Sequence, residues 1–306
     1  MGDHGAGRRS PLAATLLAIL ACLLWSTAFV WIKIGLRHAT PFSFAGLRFM
    51  LSGLLLAPFW PRRDVVGACR RDLALIAKIA FYQTFLLYGL FYLGITMVSG
   101  ALAAIIIGTA PLVTGVLAHF CMDDEPLTVS KLLSLALGVA GVAVISLSRE
   151  PWASPEGLRT FWGIALLLLS TVASGYGNVL VARDRGAIDP VLLNSVQIFV
   201  GGFVLFLISL PLEGLPRFAQ PPVYYGALLW LAVLSAVAFS LWFVLLKDPV
   251  VSVSRLNLWK FIIPVCGAAL SWALLPDESP STATLAGMTM IAVAIVAYYV
   301  ADARQG

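Results

Sequence analysis

Residues 12–34 read LAATLLAILACLLWSTAFVWIKI, and from Leu12 to Ile32 no side chain carries a formal charge. At 1.5 Å of rise per residue, about 20 such residues cross a hydrocarbon core ~30 Å thick. A core packed in water has no use for an uncharged helix of that length, whereas a bilayer requires one. The pattern recurs outward from this stretch: Leu73 to Leu93 carry only Lys78, and Leu132 to Leu147 and Leu285 to Val300 carry no charge. Across 306 residues the chain is 60% hydrophobic and 11% charged, against about a quarter charged in soluble domains. These figures exclude a soluble globular protein.

Segmentation at charge clusters and at Gly, Pro and Ser punctuation predicts ten spans, at residues 12–34, 41–60, 72–94, 98–121, 128–148, 158–182, 190–211, 222–246, 252–275 and 282–301. The runs are helix-length rather than the alternating segments of about ten residues that build barrels. The expected class is therefore an all-α integral membrane protein, its backbone polar groups satisfied within each helix. Arg8 and Arg9 precede the first run as in a signal peptide, but the run is long, lacks an A-x-A cleavage site and flows into Lys33 and Arg37, which predicts a retained span. With the N-terminus in the cytoplasm, twelve basic residues fall inside (Arg8, Arg9, Arg62, Arg63, Arg70, Arg71, Lys131, Arg183, Arg185, Lys247, Arg255, Arg304) and five outside (Lys33, Arg37, Arg149, Arg159, Arg217). This bias predicts both termini in the cytoplasm. It also accounts for the net charge of +5 without a nucleic-acid partner.

The halves align with one another. Trp25-Ser26-Thr27 faces Leu169-Ser170-Thr171, Pro41 faces Pro190, Val98-Ser99 faces Val251-Ser252, Pro111 faces Pro264, and Glu125-Pro126 faces Glu278-Ser279-Pro280. A repeat of five spans enters the second half with reversed orientation, which makes the halves an inverted pair, a common carrier architecture. The expected organisation is a cytoplasmic tail at 1–11, a first repeat at 12–148, a linker at 149–157, a second repeat at 158–301 and a tail at 302–306.

With these residues in view, the chain resembles the drug/metabolite transporter superfamily in its EamA-like branch of ten-span proteins. The likeness rests on Leu24-Trp25-Ser26-Thr27-Ala28-Phe29, Pro41-Phe42 leading to Leu47-Arg48-Phe49, Ala110-Pro111-Leu112, Glu125-Pro126-Leu127 and Gly138-x-x-Gly141. The first half carries it better than the second, which departs at Trp259-Lys260. The resemblance implies a multi-pass carrier of the cell (inner) membrane with a central cavity between the halves, often exporting amino acids or other metabolites.

No Asp or Glu lies within the hydrophobic core of an expected span; all fifteen fall in tails, loops or at span ends, so a relay of buried carboxylates is not expected. Lys260 lies near the middle of the ninth span, where a lysine costs about 2.5–3.5 kcal/mol on insertion scales and must face a cavity or a partner. Asn257, Lys260 and Pro264 stand at i, i+3 and i+7, one helix face. This face is expected to line the solute path, with Lys260 on a carboxylate or phosphate; the competing reading is a lysine bonded to carbonyls freed by Pro264. Arg48 lies seven residues after Pro41 and aligns with Gln197, which suits either a cavity position or a tie between helices. Pro111 and Pro264, in corresponding spans, mark candidate bends beside a binding site. Asn178, on a polar face with Thr171, Ser174 and Gly175, is a candidate solute contact; the face formed by Asn194, Gln197 and Gly201 reads as inter-helix bonding. Phe81, Phe85, Tyr88 and Tyr92 form an aromatic stripe on the third span, with Trp242 and Phe243 on the eighth, and Tyr88 and Trp242 are candidates to stack on a solute.

The four cysteines, Cys22, Cys69, Cys121 and Cys266, form no C-x-x-C pair, and of three histidines two sit in a tail and a loop while His119 ends the fourth span. No metal site, cofactor or catalytic motif is written in the chain. The expected function is secondary transport of a small anionic or zwitterionic metabolite, without chemical reaction. Multidrug efflux, nucleotide-sugar-type transport and an enzyme acting on a phosphorylated lipid are the rivals.

Overall fold

The computed structural model describes residues 11–61, 64–122, 128–147, 155–184, 188–217, 219–248, 251 and 253–303, and among them every regular element is helical. The expected tail up to residue 10, linker residues 149–154, the Glu125-Pro126 pair, Ser252 and residues 304–306 lie outside the described residues. In chain order the helices are α1 (Pro11–Leu36), α2 (Pro41–Leu56), α3 (Val65–Arg71), α4 (Leu73–Ile79), α5 (Leu87–Met97), α6 (Gly100–Ile107), α7 (Ala110–Cys121), α8 (Val129–Leu147), α9 (Pro155–Arg183), α10 (Pro190–Glu213), α11 (Pro222–Leu246), α12 (Val253–Leu258), α13 (Ile262–Leu274) and α14 (Thr282–Ala303). A π turn, Ala80–Leu86, joins α4 to α5, and a 3-10 turn, Trp259–Phe261, joins α12 to α13.

Among the described residues, seven stretches are long and apolar enough to cross a membrane: Leu12–Leu36, Pro41–Phe59, Leu73–Met97, Gly100–Cys121, Pro155–Arg183, Pro190–Glu213 and Pro222–Leu246. Shorter apolar helices occupy Val129–Ile145, Ile262–Leu274 and Thr282–Tyr298. Their ends follow local chemistry. Pro41, Pro190 and Pro222 open α2, α10 and α11 at the position where a missing N–H costs nothing. Asp189 caps α10 by accepting from the amides of Val191 (2.9 Å) and Leu192 (3.0 Å), and Gly214, at φ 82°, ends it.

The packing follows a regular pattern. α2 lies on α10, α8 on α14 and α6 on α13; α1 lies against α11 and α13, and α9 correspondingly against α5 and α7. Backbones come into contact at several of these crossings, α2 with α10 and α8 with α14 among them. A Cβ built on Gly46 would stand 2.7 Å from the Phe206 nitrogen, and one on Gly202 would stand 2.9 Å from the Met50 nitrogen. A Cβ on Gly141 would meet the Gly287 carbonyl at 2.8 Å, and one on Gly287 the Gly141 carbonyl at 2.6 Å. Small residues at such crossings let helices approach where lipid supplies no hydrophobic drive.

Two carboxylates tie helix starts on one end of the bundle. Glu213, at the end of α10, accepts from the amides of Phe42 and Ser43 in the first turn of α2, both at 2.9 Å. Glu278, just beyond α13, accepts from the amides of Gly100 (2.6 Å) and Ala101 (2.9 Å) that open α6. A carboxylate on the free N–H groups of a helix N-terminus is a charge-assisted cap. At the other end, Lys247 pairs with Asp184 at 3.1 Å and donates to the Ile188 carbonyl at 2.5 Å.

Candidate functional site

The site is set by three interruptions in otherwise regular helices. The π turn places Gln83 and Thr84, the polar pair of an apolar stretch, against two different neighbours. Gln83 Nε2 donates to Asn178 Oδ1 of α9 (3.3 Å), Asn178 Nδ2 donates to Asn257 Oδ1 of α12 (3.0 Å), and Asn257 Nδ2 donates to the Val253 carbonyl (2.8 Å). That carbonyl can only accept, so it fixes the direction of every amide in the chain and leaves an acceptor, Gln83 Oε1, at the far end. Gln83 Oε1 is buried and has no donor. Thr84 Oγ1 donates to Gln197 Oε1 (2.7 Å), Gln197 Nε2 to Asn194 Oδ1 (3.1 Å) and Asn194 Nδ2 to Ser240 Oγ (3.0 Å).

The other interruptions lie at the two prolines. Gly108 and Thr109 separate α6 from α7 just before Pro111, because proline lacks the N–H that would continue the ladder. The 3-10 turn at Trp259–Phe261 precedes Pro264 in the same way. The two segments meet: a Cβ on Gly108 would stand 2.8 Å from Pro264 Cβ, so only glycine admits the proline ring there.

Between these elements lies a cavity of about 90 Å³. Five aromatic residues line it, Trp25, Phe29, Tyr88, Phe91 and Phe239, together with the polar side chains of Arg48, Gln83, Thr171, Ser174 and Lys260. Lys260 is 6% exposed, and its Nζ lies over the rings of Trp242 (4.9 Å from the centroid) and Trp25 (5.7 Å). No ion pair or hydrogen bond reaches Nζ from the described residues. Cation–π contact with two indoles holds the ammonium in place of a counter-ion. The indole N–H groups of Trp25 and Trp242 are buried and also without acceptors.

Arg48 is fully enclosed and differently held. Nε donates to Ser235 Oγ (3.0 Å) and to the Leu231 carbonyl (3.3 Å), Nη2 to Ser235 Oγ (2.8 Å), and Nη1 to the Tyr92 hydroxyl (3.0 Å). Its guanidinium also covers Phe49 at 4.6 Å and Tyr88 at 5.7 Å. It ties α2, α5 and α11 together while one face reaches the cavity.

Of the residues singled out from sequence, the structure brings Lys260, Tyr88, Arg48, Thr171 and Ser174 to one cavity wall. Trp242 stands behind that wall, buried against Lys260 and Trp25. Asn178 and Asn257 bond to each other, and Gln197 bonds to Thr84 and Asn194; none of the three lines the cavity. The aromatic stripe divides, with Phe81 exposed, Phe85 half-buried, Tyr88 on the wall and Tyr92 on Arg48. The sequence reading missed Gln83, Trp25, Phe91 and Phe239 as wall residues. The adjacent polar pair Gln83-Thr84 within an apolar stretch was the available signal for the first.

A wider vestibule of about 490 Å³ opens at the end closed by Glu278, lined by Lys33, Arg37, Arg159, Glu156, Asp277 and the 96–99 connection among others. Lys33 Nζ donates to the Val98 carbonyl and Arg159 Nη2 to the Thr96 carbonyl (3.0 Å). The connection between α5 and α6 is thereby held from α1, α9 and the end of α13.

Apolar helices of membrane-crossing length around a partly charged cavity define a multi-pass membrane protein of the carrier type. The model of the EamA-like transporter family matches residues 12–147 and 161–300, and the chain belongs to that family. It is 26% identical to the uncharacterized transporter YvbV of Bacillus subtilis (strain 168), over 92% of this chain and 90% of that one. It is also 26% identical to the WAT1-related protein At3g02690, chloroplastic, of Arabidopsis thaliana, over 92% of this chain and 67% of the relative. To the uncharacterized inner membrane transporter YedA of Escherichia coli (strain K12) it is 23% identical, over 94% and 90%. A solved crystal structure shares the fold with a TM-score of 0.66 at 17% identity, over 95% of this chain and 99% of that one.

Proposed function

We propose that this membrane transporter is a secondary carrier that works by alternating access, without chemical reaction, and exports small carboxylate-bearing metabolites across the cell (inner) membrane. Amino acids and related acids are the first solutes to test. The observation that carries the reading is Lys260: a buried ammonium on a cavity wall, held by two indoles and without a counter-ion among the described residues. A carboxylate entering the cavity supplies that counter-ion, with the Arg48 guanidinium on the same wall. Asn178 and Asn257 act behind the wall by holding Gln83.

The working architecture is ten spans in two inverted repeats, 12–148 and 158–301, joined at 149–157, with both termini cytoplasmic. The packing supports it. Exchange of α1 with α9, α2 with α10, α4–α5 with α11, α6–α7 with α12–α13, and α8 with α14 turns the main helix contacts into one another. The breaks at Pro111 and Pro264, in exchanged segments that touch at Gly108, supply the bends for rocking one half against the other.

The test is solute counterflow in proteoliposomes. Wild-type protein is expected to exchange a carboxylate solute, and Lys260→Gln to lower the rate at least tenfold while keeping its elution profile and melting temperature. Normal exchange by a folded Lys260→Gln protein, or movement of cationic drugs untouched by the substitution, would remove Lys260 from the site and favour multidrug efflux.

A further inference from the structure

The balance of donors and acceptors around the cavity narrows the solute. The wall holds two side chains of positive charge, Lys260 and Arg48, and no Asp or Glu. The acids that fall within the apolar stretches, Glu156 and Glu213, stand at their ends. The carboxylates of Asp184, Glu213 and Glu278 are engaged elsewhere, on Lys247 and on two helix starts. The Arg48 partners are two hydroxyls and a carbonyl, so its charge is solvated but not neutralised. The acceptors on the wall are neutral: the Gln83 amide and the hydroxyls of Tyr88, Thr171 and Ser174.

A carboxylate meets this positive charge well. An ammonium on the same solute does not: it brings three donors and a second positive charge beside Lys260, and the two nearest indole faces already hold the lysine. A hydroxyl or keto group needs at most one acceptor and carries no charge. The cavity, of about 90 Å³, suits a small solute. We infer that the cavity selects small hydroxy and oxo acids over the amino acids of the same skeleton. The inference rests on the carrier reading of this cavity and goes beyond it by excluding the free ammonium group.

A series with one carbon skeleton isolates the charge: valine, 2-hydroxy-3-methylbutanoate, 3-methyl-2-oxobutanoate and isobutylamine. Each is titrated against the full-length purified protein, and affinity is read from the rise in melting temperature with concentration. The hydroxy and oxo acids are expected to bind at least tenfold more tightly than valine, with no stabilisation by isobutylamine. In Lys260→Gln the acids are expected to fall to the affinity of valine, and in Lys260→Arg, which keeps the charge, the ranking should persist. The wild-type ranking alone decides the matter, so a Lys260→Gln chain that fails to fold does not blunt the test. Equal or tighter binding of valine overturns the inference, as does the absence of stabilisation by all four. Counterflow with the same compounds separates the two readings: valine moved as fast as the acids sinks the selectivity and leaves transport standing, whereas no movement of any solute sinks both.

Discussion

Replacing Gly46 by alanine adds one methyl group at the place where α2 and α10 touch. Its Cβ would stand 2.7 Å from the Phe206 nitrogen and 2.8 Å from its Cα, where ordinary contact begins at 3.4 Å. The obstacle is backbone, so no side-chain rotation relieves it, and the helices must separate by roughly 0.6–0.7 Å, the difference between those figures. A radial gap of 0.5–1 Å forfeits a quarter to a half of each dispersion well along the crossing, and overpacking of this kind costs about 1–3 kcal/mol. Gly202→Ala, opposed by Phe49 Cβ at 2.6 Å and Met50 N at 2.9 Å, should cost a similar amount. Gly226→Ala is the matched control. Nothing lies within 4 Å of its Cβ position in α11, so the better helix propensity of alanine, about 0.5–1 kcal/mol, acts unopposed. Thermal unfolding of the purified proteins in one detergent is expected to lower the melting temperature for Gly46→Ala and Gly202→Ala and to leave it unchanged or raised for Gly226→Ala. Equal midpoints for Gly46→Ala and Gly226→Ala would show that the two backbones are not in contact and would refute the reasoning.

Asn178→Leu removes the middle of the amide chain and strands Gln83 Nε2 and Asn257 Oδ1; with inter-helix bonds worth ~0.6–2 kcal/mol each, a loss of about 1–4 kcal/mol is expected in the same melting assay, and an unchanged midpoint would mean that water or another partner replaces the amide. Glu278→Gln weakens the cap on α6 by roughly 0.5–2 kcal/mol, and hydrogen exchange at the Gly100 and Ala101 amides should accelerate several-fold, an effect that Asp277→Asn, on an exposed carboxylate, should not produce. Asp184→Asn leaves Lys247 with the Ile188 carbonyl but without its carboxylate; about 1–2 kcal/mol of stability should be lost at low salt, less at 1 M salt where the Debye length is only 3 Å, and equal losses at both would argue against a charge effect.

The helices were legible because hydrophobic length is written residue by residue. Residues such as Pro41, Pro190 and Pro222 gave the starts directly, since proline at the first helical position is a local preference that packing does not override. Lys260 was legible for a related reason: a mid-span ammonium needs a special environment wherever the helix turns. Asn257 shares its helix face by simple periodicity, yet the structure places it on Asn178 rather than on the cavity wall. The 3-10 turn between them breaks the 3.6-residue rule on which the shared face was reckoned. The π turn was not legible either, because its signature is an altered hydrogen-bond register rather than a residue type. Without it, Gln83 and Thr84 read as minor polar residues instead of the heads of two amide chains. Trp25 and Phe239 meet across α1 and α11, 214 positions apart as the difference of their numbers, and no local pattern encodes such an encounter.

The backbone crossings at Gly46 with Gly202 and at Gly141 with Gly287 share no residue with the cavity wall. Tolerance to change is therefore divided within the chain. At the crossings a single methyl group meets backbone, whereas the wall is built of side chains, which can yield by changing rotamer. A lineage can thus revise its cargo by altering Tyr88, Phe91, Phe239 or Lys260 and inherit the same bearings unchanged, and an engineer can recut the cavity by the same route.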